Sequence, residues 1–279
     1  MKIGLALAGG GIRGAAHIGA IKALEENNIE ISAIGGTSAG SIVAALYAMG
    51  YTSDEMIKLF NYFSKSVMAI SPKDIFSGMK EVRGIRLGGI TSSKNIELAI
   101  KEAAKLKNIK MIEDLKIPIV IPAVDLISDR EIVFTNYKRL KGNEYIHDIE
   151  IAKAVRASSS FPGMYAPFEY DKYQFVDGGV FDGLPTNETR KLGVDKILAI
   201  KFRLKNPRKQ KTLYNIAMQS LDLMTEKQIE ESVKESDYTI EIDLKDVKPF
   251  SYKKLDFAYA QGYIQTIDHI SKIKKLIKS

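Results

Sequence analysis

Short apolar runs alternate along the chain with stretches of helical period, beginning at the first residues. Ile3–Ala8 is an apolar run of strand length. A glycine-rich turn follows, and Ala15–Glu26 then places Ala16, Ala20, Ala23 and Leu24 at helical spacing. Ile29–Ile34 reads as a second strand, Gly35–Gly40 as a turn, and Ser41–Met49 as a helix closed by Gly50 as C-cap. A third helix is expected from Ser53 as N-cap, with Met56, Ile57, Leu59, Phe60 and Phe63 behind it. Within Met56–Ile70 a core helix is the better reading than an interfacial one.

The alternation continues downstream. Ser93–Leu106 is helical, and Pro118–Val124 with Glu131–Thr135 forms a strand pair around a turn at Ser128–Arg130. Asp148–Ser158 reads as a short helix and Tyr173–Val176 as a strand ending at Asp177-Gly178-Gly179. Leu184–Leu192 is helical, and Asp195–Lys201 is a buried strand. Thr212–Val233 reads as an amphipathic helix carrying Leu213, Ile216, Ala217, Ser220, Leu221 and Met224, and Tyr238–Ile242 as a strand. The last helix, Asp256–Ile277, sets Phe257, Ala260, Ile264, Ile267, Ile270 and Ile273 on one side. Ser71–Gly89 has no clean period and four glycines, which suggests a mobile loop or lid. Strands alternating with helices predict an α/β fold, with helices on the faces of a mainly parallel sheet. No repeat or linker divides the 279 residues, so one domain is expected over 1–279, with a C-terminal helical part from about 205.

Composition narrows the chemistry. The chain has no Cys, which excludes thiolate catalysis, Cys-ligated zinc and iron–sulfur clusters. His17, His147 and His269 are far apart in sequence and show no metal-ligand spacing. Forty-one basic residues against 34 acidic ones give a net charge of +7, which suits nucleic acid, an anionic membrane surface or an anionic substrate. Six of the cations fall within Lys201–Lys211, as Lys201, Arg203, Lys205, Arg208, Lys209 and Lys211. Apolar runs stay far short of the ~18–20 residues of a membrane span. The run in Met1–Ala8 is cut by Gly9–Gly11 before it resembles a signal peptide. The chain is therefore expected in the cytoplasm, with scope for peripheral contact with an anionic membrane through Lys201–Lys211.

Two glycine motifs carry the functional argument. Gly9, Gly11 and Gly14 form G-x-G-x-x-G between a strand and a helix, where backbone N–H groups cradle a pyrophosphate or an oxyanion. A dinucleotide site wants an acidic residue at the end of the second strand. That place holds Ile34-Gly35-Gly36-Thr37-Ser38, which weakens the cofactor reading and the wider alternative of a nucleotide- or nucleic-acid-binding module. Gly36-Thr37-Ser38-Ala39-Gly40 is G-x-S-x-G at a strand–helix turn. Such a turn projects the Ser38 hydroxyl, with the helix N-terminus and the Ala39 N–H behind it. None of the three His is well placed to activate Ser38, so a carboxylate with a raised pKa is needed. Asp125, Asp177 and Asp182 lie at strand ends; Asp177, before two glycines, is the best placed, although an Asx-turn role explains it nearly as well.

Together these residues resemble the patatin-like phospholipase family. The resemblance rests on Gly9-Gly10-Gly11-Ile12-Arg13-Gly14, on Gly36-Thr37-Ser38-Ala39-Gly40 and on Asp177-Gly178-Gly179, with support from Ala157–Pro167. It implies a three-layer α/β/α fold and hydrolysis of lipid acyl esters, of the phospholipase A or lysophospholipase type. Ser38 would be the nucleophile and Asp177 the base, with no catalytic His and no cofactor or metal. Gly10, Gly11, Ile12 and Ala39 would supply oxyanion N–H groups, and Arg13 would fix the loop or bind a lipid phosphate. Nucleic acid is not an expected partner.

Overall fold

The computed structural model describes residues 1–67, 93–203, 211–245, 247 and 252–278. The expected lid at Ser71–Gly89 and the middle of the basic segment lie outside them.

In chain order the strands are β1 (Ile3–Leu7), β2 (Ala33–Gly36), β3 (Ile119–Asp125), β4 (Arg130–Thr135), β5 (Tyr145–Ile146), β6 (Phe168–Tyr170), β7 (Tyr173–Asp177), β8 (Lys196–Phe202) and β9 (Tyr238–Ile242). They form one sheet in the order β5-β4-β3-β2-β1-β8-β9, with β7 on β3 and β6 on β7. The run β3-β2-β1-β8-β9 is parallel throughout, and β3 meets β4 and β7 antiparallel. β1 and β3 are buried at every residue, as strands covered on both faces must be.

Helices cover both faces. α1 (Gly14–Glu26), α2 (Ala39–Ala48), α3 (Ser53–Val67), α4 (Lys94–Leu106) and α5 (Ile151–Ser158) lie on one side. α6 (Thr186–Arg190) and α7 (Leu213–Lys234) lie on the other, and α8 (Leu255–Lys278) packs along α1. The alternation of β1 shows the division: Leu5 and Leu7 enter the large core with α1 and α2, whereas Ala6 and Ala8 meet Leu184, Ile197, Ala199 and Ile229. The result is a three-layer α/β/α fold with a mainly parallel central sheet. Among the described residues no helix is long and apolar enough to cross a membrane.

Four local expectations change. Ile29 and Ile31 are buried but unpaired, and the second strand starts only at Ala33, opposite Gly4. The chain leaves α1 through Asn28 at φ 58°, with the Ile29 N–H returned to Leu24 O, and needs several residues to reach the sheet. α3 is capped by Thr52, whose hydroxyl and N–H are reciprocally bonded with Glu55, while Ser53 Oγ donates to Glu25.

α8 buries Leu255, Ala258, Gly262, Thr266, Ile270 and Ile273. Phe257, Ile264 and Ile267 of the expected stripe stay at 38%, 53% and 38% exposure. A Cβ on Gly262 would run into the Ala16 carbonyl, and one on Gly19 into that of Tyr259. The α1–α8 crossing is therefore set by reciprocal glycines, and of the large apolar residues in the expected stripe only Ile270 and Ile273 reach the buried face. In α7 the expected apolar stripe is likewise not a buried one, since Leu213, Ile216 and Met224 are all exposed.

Candidate active site

Topology brings the two motif strands end to end. β2 pairs with the first part of β3 (Gly35 opposite Val120), and β7 pairs with its last part (Asp177 opposite Ala123). Both strands use the same edge of β3 and approach from opposite directions, so their C-terminal ends meet beside Pro122. A Cβ on Gly178 would strike the Pro122 carbonyl and stand 3.2 Å from Thr37 Cγ2. That contact sets the turn after Asp177 directly against the residue before Ser38.

Ser38 occupies a strained turn. Its φ of 53° and ψ of −120° lie outside the regions a side chain normally adopts. A Cβ on Gly36 would collide with the Gly40 carbonyl, and one on Gly40 with that of Leu7, which explains both flanking glycines. Three serines hold the turn in place. Ser38 N–H donates to Ser158 Oγ at 3.1 Å, and Ser41 Oγ and Ser159 Oγ donate to Ser38 O at 2.6 and 3.3 Å. The same segment holds the second motif, because Asp177 N–H donates to Ser160 O at 3.1 Å. Ser158–Ser160 thus tie Ser38 and Asp177 to one end of α5. These serines lie at the start of the Ala157–Pro167 stretch, where three consecutive hydroxyls at a helix end are the signal that the sequence offers.

Asp177 is 1% exposed. Its Oδ1 accepts the Gly179 N–H at 2.8 Å, and Oδ2 is buried outside ordinary hydrogen-bond geometry. Burial pushes its pKa up to about 7, and the nearby Ser38 hydroxyl and the Gly179 N–H pull it back part of the way. The other two acids have different settings. Asp125 accepts from Ile127, Ser128 and Gln174 and is held below the usual carboxylate range by those bonds, although burial opposes them. Asp182 is raised by burial to about 6, its carboxylate accepts from Leu184 N–H, and its carbonyl accepts the Thr37 hydroxyl.

The glycine turn lies against the same point. A Cβ on Gly9 would come within 3.3 Å of Ser38 Cβ. Gly10 caps a 3-10 turn over Gly11–Arg13 that runs into α1 at Gly14, so the leading N–H groups of Gly10, Gly11 and Ile12 lie outside its internal bonding. Ala39 opens α2 and is in the same position. Arg13 Nε donates to Val247 O at 3.0 Å and faces Asp222 and Glu226, an arrangement that fixes the loop.

None of the histidines reaches Ser38. His17 is fully buried: one ring nitrogen bonds Ala8 O at 2.8 Å, the ring lies against Phe202, and burial lowers its pKa to about 4. It is therefore neutral and supports the strand end that leads into Gly9. His147 spans the carbonyls of Thr135 and Leu140, and His269 bonds Tyr238 Oη. Among the described residues there is no group of three or more His, Asp or Glu that could hold a metal. The basic segment is also altered. Lys201 pairs with Glu226 and Glu241, and Arg203 with Glu241 and Asp243, so two of the six cations are engaged within the protein.

Comparison with known proteins gives the family and the fold. A family model described as patatin-like phospholipase matches residues 5–190. The lysophospholipase NTE1 of Candida albicans is 30% identical over 200 residues, covering 71% of this chain and 13% of that protein. An NTE family protein of Mycobacterium bovis is 30% identical over 199 residues, covering 71% of this chain and 48% of its own length. The chain thus spans less than half of either relative. In fold it resembles VipD from Legionella pneumophila (TM-score 0.56, 15% identity, 97% of this chain and 67% of that one). It also resembles human GIVD cytosolic phospholipase A2 (TM-score 0.51, 12% identity, 99% and 59%). With its glycine turn, serine elbow and Asp-Gly-Gly turn converging on one point, the chain belongs to the patatin-like phospholipase family.

Proposed function

We propose that the chain hydrolyses lipid acyl esters, with Ser38 as nucleophile and Asp177 as general base. One observation carries the reading: a serine in a strained elbow whose hydroxyl acts on a buried carboxylate poised at about 7. A base is most effective when its pKa lies near the working pH. Family membership and the lysophospholipase relative support the substrate class. The nucleotide-binding alternative is not favoured, since β2 runs into the elbow where a ribose-binding acid would sit.

The course would be as follows. Asp177 Oδ2 takes the proton of Ser38 Oγ as the oxygen attacks the ester carbonyl carbon. The oxyanion is held by N–H groups of Gly10, Gly11, Ile12 and Ala39, each typically worth about 3–4 kcal/mol when such a donor is removed. Collapse expels the alcohol, which receives the proton from Asp177, and leaves an acyl-serine. Water then gives a proton to Asp177 and attacks the acyl carbon; collapse breaks the acyl–Oγ bond, Asp177 returns the proton to Ser38 Oγ, and the fatty acid is released. Within this reading Gly9, Gly14, Gly36, Gly40, Gly178 and Gly179 shape the backbone.

Fluorophosphonate labelling tests the assignment. The intact protein should be labelled at Ser38, and Ser38→Ala should abolish both labelling and phospholipid hydrolysis. A folded protein that is active but unlabelled at Ser38 would refute it.

A further inference from the structure

α7 is two different helices in one. Its second half is fastened to the candidate site: Thr225 Oγ1 donates to Gly179 O at 2.9 Å, Gln228 Nε2 donates to Val180 O at 3.0 Å, and Ile229 is buried. Asp222, just before, faces Arg13 of the glycine turn. Among the described residues the first half has no such fastening. Leu213 is 83% exposed, Ile216 49%, Leu223 54% and Met224 63%, and Phe181 beside the Asp177 turn is 46% exposed. From Leu213 to Leu221 there is no charged residue. At about 1.5 Å per residue, Leu213 stands roughly 18 Å along the helix from Thr225.

Exposed apolar surface of this extent marks an interaction site. Leu213, Ile216, Ala217, Ser220, Leu223 and Met224 are exposed at helical spacing and form one stripe, with Asn215 outside it. A helix with one apolar face can lie in the plane of a lipid interface with that face buried, and the charge beside the stripe decides for lipid over a second protein chain. Lys211 is exposed immediately before it, and Lys205, Arg208 and Lys209 precede in sequence. Such cations suit anionic headgroups, at about 1 kcal/mol each near the surface.

We infer that Leu213–Met224 is an interfacial helix that inserts its apolar side chains into an anionic lipid surface and sets the Ser38–Asp177 cleft against that surface. The inference rests on the proposed lipid hydrolysis and adds the element that docks the site. It replaces the ion-paired Lys201 and Arg203 as the membrane contact.

The absence of Trp from the chain makes the test direct. Leu213→Trp introduces a unique reporter on an exposed position. With vesicles of equimolar phosphatidylcholine and phosphatidylglycerol its emission should shift to the blue, and brominated acyl chains should quench it. Leu106→Trp, at the exposed end of α4, should show neither. In Leu213→Asp/Ile216→Asp, hydrolysis of vesicle lipid relative to a soluble ester should fall about a hundredfold, from the burial lost by two side chains. Emission unchanged by vesicles would overturn the inference, as would a vesicle-independent blue shift that grows with protein concentration and so indicates a second copy. Insertion without cleavage of any lipid ester would leave the docking helix standing and refute the hydrolase reading.

Discussion

Replacing Asp177 by Asn should make the protein more stable, by an amount that grows with pH. In the folded chain the carboxyl titrates at about 7 against an ordinary value of 3.8, chiefly because it is buried. A raised carboxyl means that the native state keeps a proton which the unfolded chain releases. Stability is therefore fully present below the unfolded value, falls as pH rises, and is lost completely only above the folded value. At about 1.4 kcal/mol per pKa unit the full penalty is about 4.5 kcal/mol. About 3 kcal/mol of it develops between about pH 5 and about pH 8.5. Asn does not titrate, keeps an oxygen for the Gly179 N–H, and can donate to Ser38 Oγ. Glu131 and Asp182, also raised by burial to about 8 and about 6, remain in both proteins, and their titration cancels in the difference. Urea denaturation followed by far-ultraviolet circular dichroism at the two pH values measures it. A stability difference that stays constant between them would refute both the burial argument and the poise assigned to the base.

The same carboxyl sets the rate profile: kcat/KM for a soluble ester should rise with pH around a midpoint near 7, and activity held level down to about pH 5 would exclude Asp177 as the base. Ser158→Ala strands the Ser38 N–H and loosens the elbow. It should lower kcat about tenfold with little change in KM, from a net hydrogen-bond contribution of about 1–1.5 kcal/mol; unchanged kcat would remove the positioning role. Gly262→Ala drives a methyl into the Ala16 carbonyl, and should cost about 2–4 kcal/mol in the urea transition. A neutral effect would mean that the α1–α8 crossing is looser than described.

What the sequence disclosed follows from the range of the interactions involved. The elbow was legible because its requirements are local: two glycines within two residues of Ser38, at a strand–helix junction. The buried strands β1 and β3 and the β3–β4 hairpin were legible for the same reason. The pairing of Ser38 with Asp177 was legible only as what the family resemblance implies, because it depends on β2 and β7 sharing one edge of β3 from opposite ends, and register against a third strand leaves no mark in either motif. The last two helices show the same limit in reverse. In α8 large apolar residues suggested one face, yet Gly262 and Thr266 decide another by letting the helices approach. In α7 a good apolar period did not imply burial at all. Periodicity reports that a helix has an apolar side without naming what that side meets. Where the described residues supply no partner, as along Leu213–Met224, the same pattern becomes evidence about the surroundings of the protein, and here the helix continues into the Thr225 and Gln228 contacts with the turn after Asp177.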